Sequence, residues 1–260
     1  MRSGGAGQTA GATLHTKQSN NLTGHTAVVT GGGQGLGRAI AEALATAGCA
    51  VAILDVDADR AASASREIGA TTGAATCAVC ADVAVKAQVD AAIDQVCEAL
   101  GEIDVLINNA GIWRHNTLLD VDEAEWGRVF AVNVTGALFC VQRVAPAMKR
   151  RRSGKIIQVA SIAGVNAGVG WAAYQTSKAA MIMMSQILAA ELADHGVQVN
   201  VVCPGAIRTA MLEQIVATEG GDVAQAADAG KIAEMILGLI APFEQTTTGQ
   251  VVDRDGQGIS

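Results

Sequence analysis

Tyr174 and Lys178 stand four positions apart in an Ala-rich stretch that reads as a helix, and that spacing puts both side chains on one face. The pairing has a chemical use. A phenol with a reference pKa of about 10 is a poor base at neutral pH, and a neighbouring ammonium favours its phenolate. Lowering it by ~3 units corresponds to roughly 4 kcal/mol of differential interaction. Such pairs are also common on exposed helix faces, but Tyr174 is the one tyrosine in the chain. Ser161, moreover, closes the apolar run before that helix, where an α/β sheet presents its ligands. Elsewhere a serine in such a place is a turn residue.

A second group lies far upstream. Thr30-Gly31-Gly32-Gly33-Gln34-Gly35-Leu36-Gly37 falls where a first strand turns into a first helix. Glycines there let the backbone turn tightly and approach a pyrophosphate, whose charge the helix amino end favours. The loop alone is weak evidence; strand before and helix after is the context that the motif demands. Asp55 ends the next apolar run, placed to accept hydrogen bonds from both ribose hydroxyls and to repel a 2′-phosphate. Val56 and Gln34 supply no cation for such a phosphate, so NAD is expected over NADP. Asp55 also reads as a turn or capping residue. Asp82, ending the third run beside Val83, is a partner for adenine or a helix cap.

Positioning these residues requires a scaffold, and the alternation of short β-branched runs with Ala-rich stretches describes one. Strands are expected at 27–30, 50–54, 75–81, 104–108, 155–160, 197–203 and 251–252, with helices at 35–48, 57–69, 86–100, 122–148 and 172–194. This order predicts right-handed crossovers and a doubly wound Rossmann-type parallel sheet of about seven strands with helices on both faces. The strands are continuously apolar, as a sheet covered on both faces requires. Residues 1–22, rich in Gly, Ala, Ser, Thr, Asn and Gln, are expected to form a flexible tail, and 23–260 the single domain.

Composition narrows the function classes. Hydrophobic residues make up 50% of the 260 and mean hydropathy is +0.30. The densest apolar stretch, Ala179–Met184, meets Ser185 and Gln186 well before the ~18 residues of a membrane span. Met1–Asn21 holds no apolar stretch of the signal-peptide kind, so a cytoplasmic protein with no membrane partner is expected. Net charge is −7 and pI about 5.1, which argues against a nucleic-acid partner. The one basic cluster, Lys149–Arg152, reads as a solvated turn or as cations at a helix carboxyl end. Cys77 and Cys80 have C-x-x-C spacing, but they fall in a run that reads as a buried strand, whose residues three apart point to opposite faces. All six cysteines are expected to be reduced, the pair buried and inert.

Taken in order, these motifs make the sequence resemble the short-chain dehydrogenases/reductases over nearly everything from Leu22 to Gly256. The resemblance rests on the Thr30–Gly37 loop, Asp82, Asn108-Asn109-Ala110-Gly111, Asn133, Ser161, the Tyr174/Lys178 pair and Pro204-Gly205. It implies Tyr174 as general acid/base, with Lys178 lowering its pKa and binding the nicotinamide ribose. Ser161 would orient the substrate oxygen, and Asn133 would hold a water linking Lys178 to solvent. For NAD, it implies a site made by Gly31, Gln34, Gly35, Leu36, Gly37, Asp55, Asp82, Val83, Asn109, Ala110, Gly111, Tyr174, Lys178, Pro204, Gly205, Ile207 and Thr209. No metal is expected, since side chains supply the proton transfer and polarisation. A dimer or tetramer built on the helices near 122–148 and 172–194 is implied as well.

Two features depart from the family pattern. The segment from Arg208 to Ala229 is short for a lid, implying a more open cleft or a smaller substrate, and Gln257 stands where a second Gly is common. The substrate pocket is expected to draw on Trp113, Arg114 and His115, on 162–170 and on the lid. His115 is a ligand for a substrate hydroxyl or a plain surface imidazole. Met181, Met183 and Met184 are expected to fill core or subunit contacts. Three functions remain open at this point. They are an NAD-linked dehydrogenase of a secondary alcohol or ketone such as a polyol, an NADPH-dependent β-ketoacyl reductase, and an NAD-binding regulator without turnover.

Overall fold

The computed structural model describes residues 20–224 and 226–259. Its strands are β1 (Thr26–Thr30), β2 (Ala50–Asp55), β3 (Thr76–Cys80), β4 (Val105–Asn108), β5 (Gly154–Val159), β6 (Val197–Cys203) and β7 (Val251–Asp253). They form one seven-stranded sheet in the order β3-β2-β1-β4-β5-β6-β7, parallel throughout. Strand order reverses between β1 and β4. At that switch point the carboxyl ends diverge and leave a crevice for ligands.

Helices cover both faces. Helices α1 (Gly35–Thr46) and α2 (Ala58–Thr72), joined by α8 (Ala229–Ile240) from the far end of the chain, bury Ile40, Leu44, Ile68 and Ile236 against one side. On the other side, α3 (Lys86–Leu100), α5 (Ala137–Arg151) and α6 (Ala172–Leu192) pack Ile93, Val141, Met148 and Leu192 against Leu54, Leu106 and Ile156. Helix α4 (Glu123–Phe130) runs into α5 through a π-helical turn, Ala131–Gly136, so the one helix expected near 122–148 is three segments. This run, 123–151, is long and apolar enough by length and composition to cross a membrane. Its apolarity has a use within the domain, where α5 packs on α3, β4 and β5. A short helix, α7 (Ala210–Glu219), fills the lid segment.

Several expectations need correction. Leu22, assigned to the tail, is fully buried, and its N–H donates to the Ala47 carbonyl at 2.7 Å; residues 1–19 of that tail lie outside the described residues. Strand β3 is an edge strand rather than a buried one. Cys80 is therefore exposed and Cys77 half-buried, because a strand with one neighbour cannot be enclosed as a central one is. Cys97 is exposed as well, while Cys49, Cys140 and Cys203 are buried, and burial pushes the Cys49 and Cys140 thiols up to about 12. Among the described residues all six are free. Lys149, Arg150 and Arg151 occupy the last turn of α5, where cations complement the helix dipole.

Lys155 is the largest fully buried side chain among the described residues. Its ammonium donates to the Gln245 carbonyl and lies 5.5 Å from the centre of the Phe243 ring. Burial lowers its pKa from 10.5 to about 8, with Glu244 opposing. Between those values the unfolded chain binds the extra proton, so this group's contribution to stability rises with pH across that window. We expect the stability difference between wild type and Lys155→Met, from urea unfolding, to shift in favour of wild type as pH climbs from about 8 to 10. A difference flat in pH would show that Lys155 stays charged when folded.

Candidate active site

The sheet's carboxyl edge opens into a cavity of about 420 Å³. One end is built by the loop between β1 and α1. Gly31 takes φ +62, and a Cβ on Gly37 would lie 2.2 Å from the Gly31 carbonyl oxygen, so helix and loop touch backbone to backbone. Thr30 ties this loop to the one after β4: its Oγ1 accepts from the N–H groups of Asn109 and Ala110, both at 3.0 Å. Asn109 Nδ2 donates to the carbonyls of Thr30 and Gly31 at 2.9 and 3.2 Å. The cradle is thus a cross-braced pair of loops at the topological switch.

Asp55 lies beneath it, 7% exposed. Its Oδ2 accepts from Gly33 N–H at 3.0 Å and its Oδ1 from Asp57 N–H at 3.1 Å. Both readings of Asp55 therefore hold together, since the carboxylate braces a turn and still borders the cavity. The expectation of no nearby cation is corrected: Arg60, one turn into α2, lines the same end, with its Nε 3.1 Å from Asp57 Oδ2. Asp82 likewise has two occupations. Its Oδ1 accepts from Ala84 N–H at 2.9 Å, and its Oδ2 receives Arg128 at 3.0 Å. Sequence spacing missed Arg60 and Arg128 because they come from α2 and α4, outside the β-strand ends where the motifs sit.

The other end of the cavity holds the reacting groups. Tyr174 and Lys178 project from the first turns of α6, 8% and 3% exposed, and Ser161 follows β5. Ser161 Oγ accepts from Ala163 N–H at 3.1 Å and is hydrogen-bonded to Tyr174. Lys178 Nζ donates to the Val159 carbonyl at 2.8 Å and lies 5.8 Å from the centre of the Tyr174 ring. Burial pushes the Tyr174 phenol up, and the Ser161 hydrogen bond opposes it; Lys178 itself is lowered by burial to about 8. The hydroxyl beside Tyr174, rather than the ammonium below it, is what offsets burial of the phenol here. Thr209 caps α7 by accepting from Leu212 N–H at 3.4 Å, and its methyl side faces Gly35 across the cavity.

All but one of the expected site residues border this cavity. The exception is Asn133, fully buried in the π-helical turn. Its Oδ1 accepts from Ile112 N–H at 2.8 Å, and its Nδ2 donates to the Ile112 carbonyl at 3.0 Å and to Ser177 Oγ at 2.9 Å. The amide thus pins the loop after β4 to the back of α6, and its side chain is not directed at Lys178. Trp113, Arg114 and His115 do not line the cavity either; Trp113 packs inside and His115 turns to Glu219. Trp171 lines it instead, edge-on to Tyr174 with ring centres 5.8 Å apart. Of the 162–170 segment only Ile162 and Ala163 reach it. No cluster of metal-ligating side chains occurs among the described residues.

The long cavity, with a glycine cradle and ribose-side carboxylate at one end and a Ser–Tyr–Lys group at the other, has the shape of a dinucleotide laid toward a proton donor. The sequence profile of the short chain dehydrogenases matches residues 25–220. The chain belongs to that family. It is an oxidoreductase of alcohol or ketone groups that works with a nicotinamide dinucleotide. Among similar proteins, the sorbitol dehydrogenase of Cereibacter sphaeroides is 38% identical over 187 residues, 72% of each chain. The 3-oxoacyl-[acyl-carrier-protein] reductase of Synechocystis is 39% identical over 194 residues, covering 75% of this chain and 78% of that one. The crystal structure of L-sorbose reductase from Gluconobacter frateurii, complexed with NADPH and L-sorbose, superposes with a TM-score of 0.84 at 28% identity. That match covers 92% of this chain and 98% of the reductase.

Proposed function

We propose that this short-chain dehydrogenase transfers a hydride between NAD(H) and a small secondary alcohol or its ketone, of the polyol or sugar-alcohol class. The observation that carries the reaction is the contact of Ser161 with Tyr174 above a buried Lys178 at the cavity floor. The polyol class draws on the names of two relatives, a sorbitol dehydrogenase and an L-sorbose reductase. The nicotinamide ring, when bound, supplies or takes up the hydride. Tyr174 Oη gives its proton to the carbonyl oxygen in reduction and takes it from the hydroxyl in oxidation. Ser161 Oγ holds that same oxygen in place, and Lys178 supplies positive charge below the phenol and hydrogen-bonds the adjacent ribose. Asn133 positions the floor, through Ile112 and Ser177, on which Lys178 rests.

The choice of NAD draws on Asp55. A 2′-phosphate placed against this buried carboxylate meets like charge, which costs several kcal/mol. Arg60 is the counter-argument, but its guanidinium is engaged by Asp57. Asp55→Asn keeps an acceptor for the turn and removes the charge. We expect the ratio of kcat/KM with NAD to that with NADP to exceed one in wild type and to fall by roughly 10–100-fold in Asp55→Asn. Reduced-nicotinamide absorbance over a panel of secondary alcohols and sugar alcohols, run with each dinucleotide, measures both. Activity confined to NADPH would move the assignment to the β-ketoacyl reductase reading, whose relatives include the Synechocystis enzyme. Tight NAD binding with no turnover on the whole panel would move it to a regulator.

Assembly into a dimer or tetramer in the cytoplasm completes the reading. Met183 and Ile187 stand 58% and 52% exposed on α6, an apolar strip that suits a subunit contact, whereas Met181 is buried in the core. Light scattering on the purified protein reads the assembly number directly.

A further inference from the structure

Glu219 is the last residue of α7, where helix carbonyls carry negative partial charge and a carboxylate disfavours the helix. Its compensation comes from outside the helix. Oε1 accepts from the Trp171 indole N–H at 2.7 Å and pairs with His115 Nδ1 at 2.8 Å. The carboxylate therefore joins three separate pieces: the lid helix, the loop after β4, and the residue that opens α6. His115 is held snugly on its other side, since a Cβ on Gly170 would lie 2.7 Å from its Cε1.

Two features make this junction consequential. Helix α7 buries no residue of its own, so its place depends on a few end contacts, the Thr209 cap at the start and Glu219 at the finish. Met211, Leu212 and Ile215 from α7 wall the cavity, and Trp171 lines it beside Tyr174. The indole ring is thus an apolar wall of the reacting centre, and its one polar atom is occupied by Glu219.

We propose that Glu219 is a positioning residue: it fixes the Trp171 ring against Tyr174 and holds α7 over the substrate end of the cavity. It acts through Trp171 and touches no reacting atom. His115 is the second anchor of the same junction, not a substrate ligand. The kinetic arm of the test rests on the dehydrogenase reading above, whereas the exchange arm stands without it.

Wild type, Glu219→Ala, Glu219→Gln, Trp171→Phe and the double variant Trp171→Phe/Glu219→Ala are compared. With the best alcohol of the panel, Glu219→Ala is expected to raise the alcohol KM about 10-fold, as loss of a hydrogen bond to a charged group implies. Its kcat moves less and its KM for NAD stays put. Glu219→Gln retains an acceptor oxygen and rescues most of the loss. Trp171→Phe keeps a ring without the N–H and raises KM as Glu219→Ala does, and the double variant is no worse than either single one. Hydrogen–deuterium exchange of the NAD-bound protein reads the same junction without turnover: amides in 210–219 exchange faster in Glu219→Ala, while those of α1 are unchanged. An unchanged alcohol KM, a glutamine as impaired as alanine, additive losses in the double variant, or unaltered exchange over 210–219 would each overturn the proposal. A protein with no turnover on any alcohol but faster exchange in Glu219→Ala would sink the dehydrogenase reading and leave the junction standing.

Discussion

Tyr174→Phe lowers kcat by about 10²–10⁴-fold, the range that general acid–base catalysis supplies, and leaves NAD affinity unchanged. The reasoning is local. Phenylalanine keeps the ring that meets Trp171 and fills the same buried space, so only the Oη is lost. Ser161 then still faces the substrate oxygen but has no proton of suitable acidity to give. The pH dependence follows from the direction of the Tyr174 shift. Burial holds the phenol above its ordinary value, so at neutral pH it is protonated, which is the form that carbonyl reduction uses. Raising pH through that value depletes the donor and fills the base. Reduction is therefore expected to slow with rising pH and oxidation to accelerate. Steady-state rates in both directions between about pH 6 and 10 check this against the reference phenol value. A Tyr174→Phe enzyme within tenfold of wild type, or an oxidation rate flat in pH, would remove Tyr174 from its role.

What the sequence made legible follows from where the information lies along the chain. The Thr30–Gly37 loop is contiguous, bounded by an apolar run and an Ala-rich one, and the strand–turn–helix reading needs nothing distant. Tyr174 and Lys178 are neighbours on one helix, so their convergence needs only helical period. The seven-strand sheet was readable for a similar reason, since each strand carries its own unbroken apolar run. Position within the sheet is another matter. Thr76–Cys80 has the composition of a central strand, and its place at the edge is decided by crossover order, which local pattern does not encode. Arg60, Arg128 and Trp171 reach the cavity from α2, from α4 and from the entrance of α6, so their roles appear only when those elements are docked. Asn133 shows a subtler failure. Its motif was recognisable, but the π-helical turn carries its side chain to Ile112 and Ser177, and helix period alone cannot foresee that turn. The junction at Glu219 joins residues 104 positions apart, and at sequence level a glutamate before two glycines is only a helix end.

Gly37→Ala tests the cradle. The added methyl would sit 2.2 Å from the Gly31 carbonyl oxygen and 2.5 Å from Asn109 Nδ2, distances that real contacts do not sustain. Neither neighbour can move freely. Gly31 lies at φ +62 with its carbonyl already accepting from Asn109, and a Cβ there would in turn meet the Ala110 backbone at 3.0 Å. Asn109 is tied in addition to the Thr30 carbonyl, and Thr30 Oγ1 holds the N–H groups of Asn109 and Ala110. The strain must therefore pass into the brace between the β1 and β4 loops, opening the surface that approaches the pyrophosphate. Overpacking of this kind costs about 1–3 kcal/mol of stability. If the strain is relieved only by distorting the cradle, NAD affinity falls by roughly 10–100-fold. Gly127→Ala is the matched control: it lies within α4, a Cβ there meets nothing within 4 Å, and removing a helical glycine should stabilise by about 0.5–1 kcal/mol. Thermal unfolding together with NAD titration separates the two effects. Loss of NAD affinity at Gly37 with little change in melting temperature would locate the strain in the loop, and loss of both would locate it in the loop–helix packing as a whole. A Gly37→Ala protein that binds NAD like wild type would mean that the Gly31–Asn109 brace is not what shapes the pyrophosphate cradle.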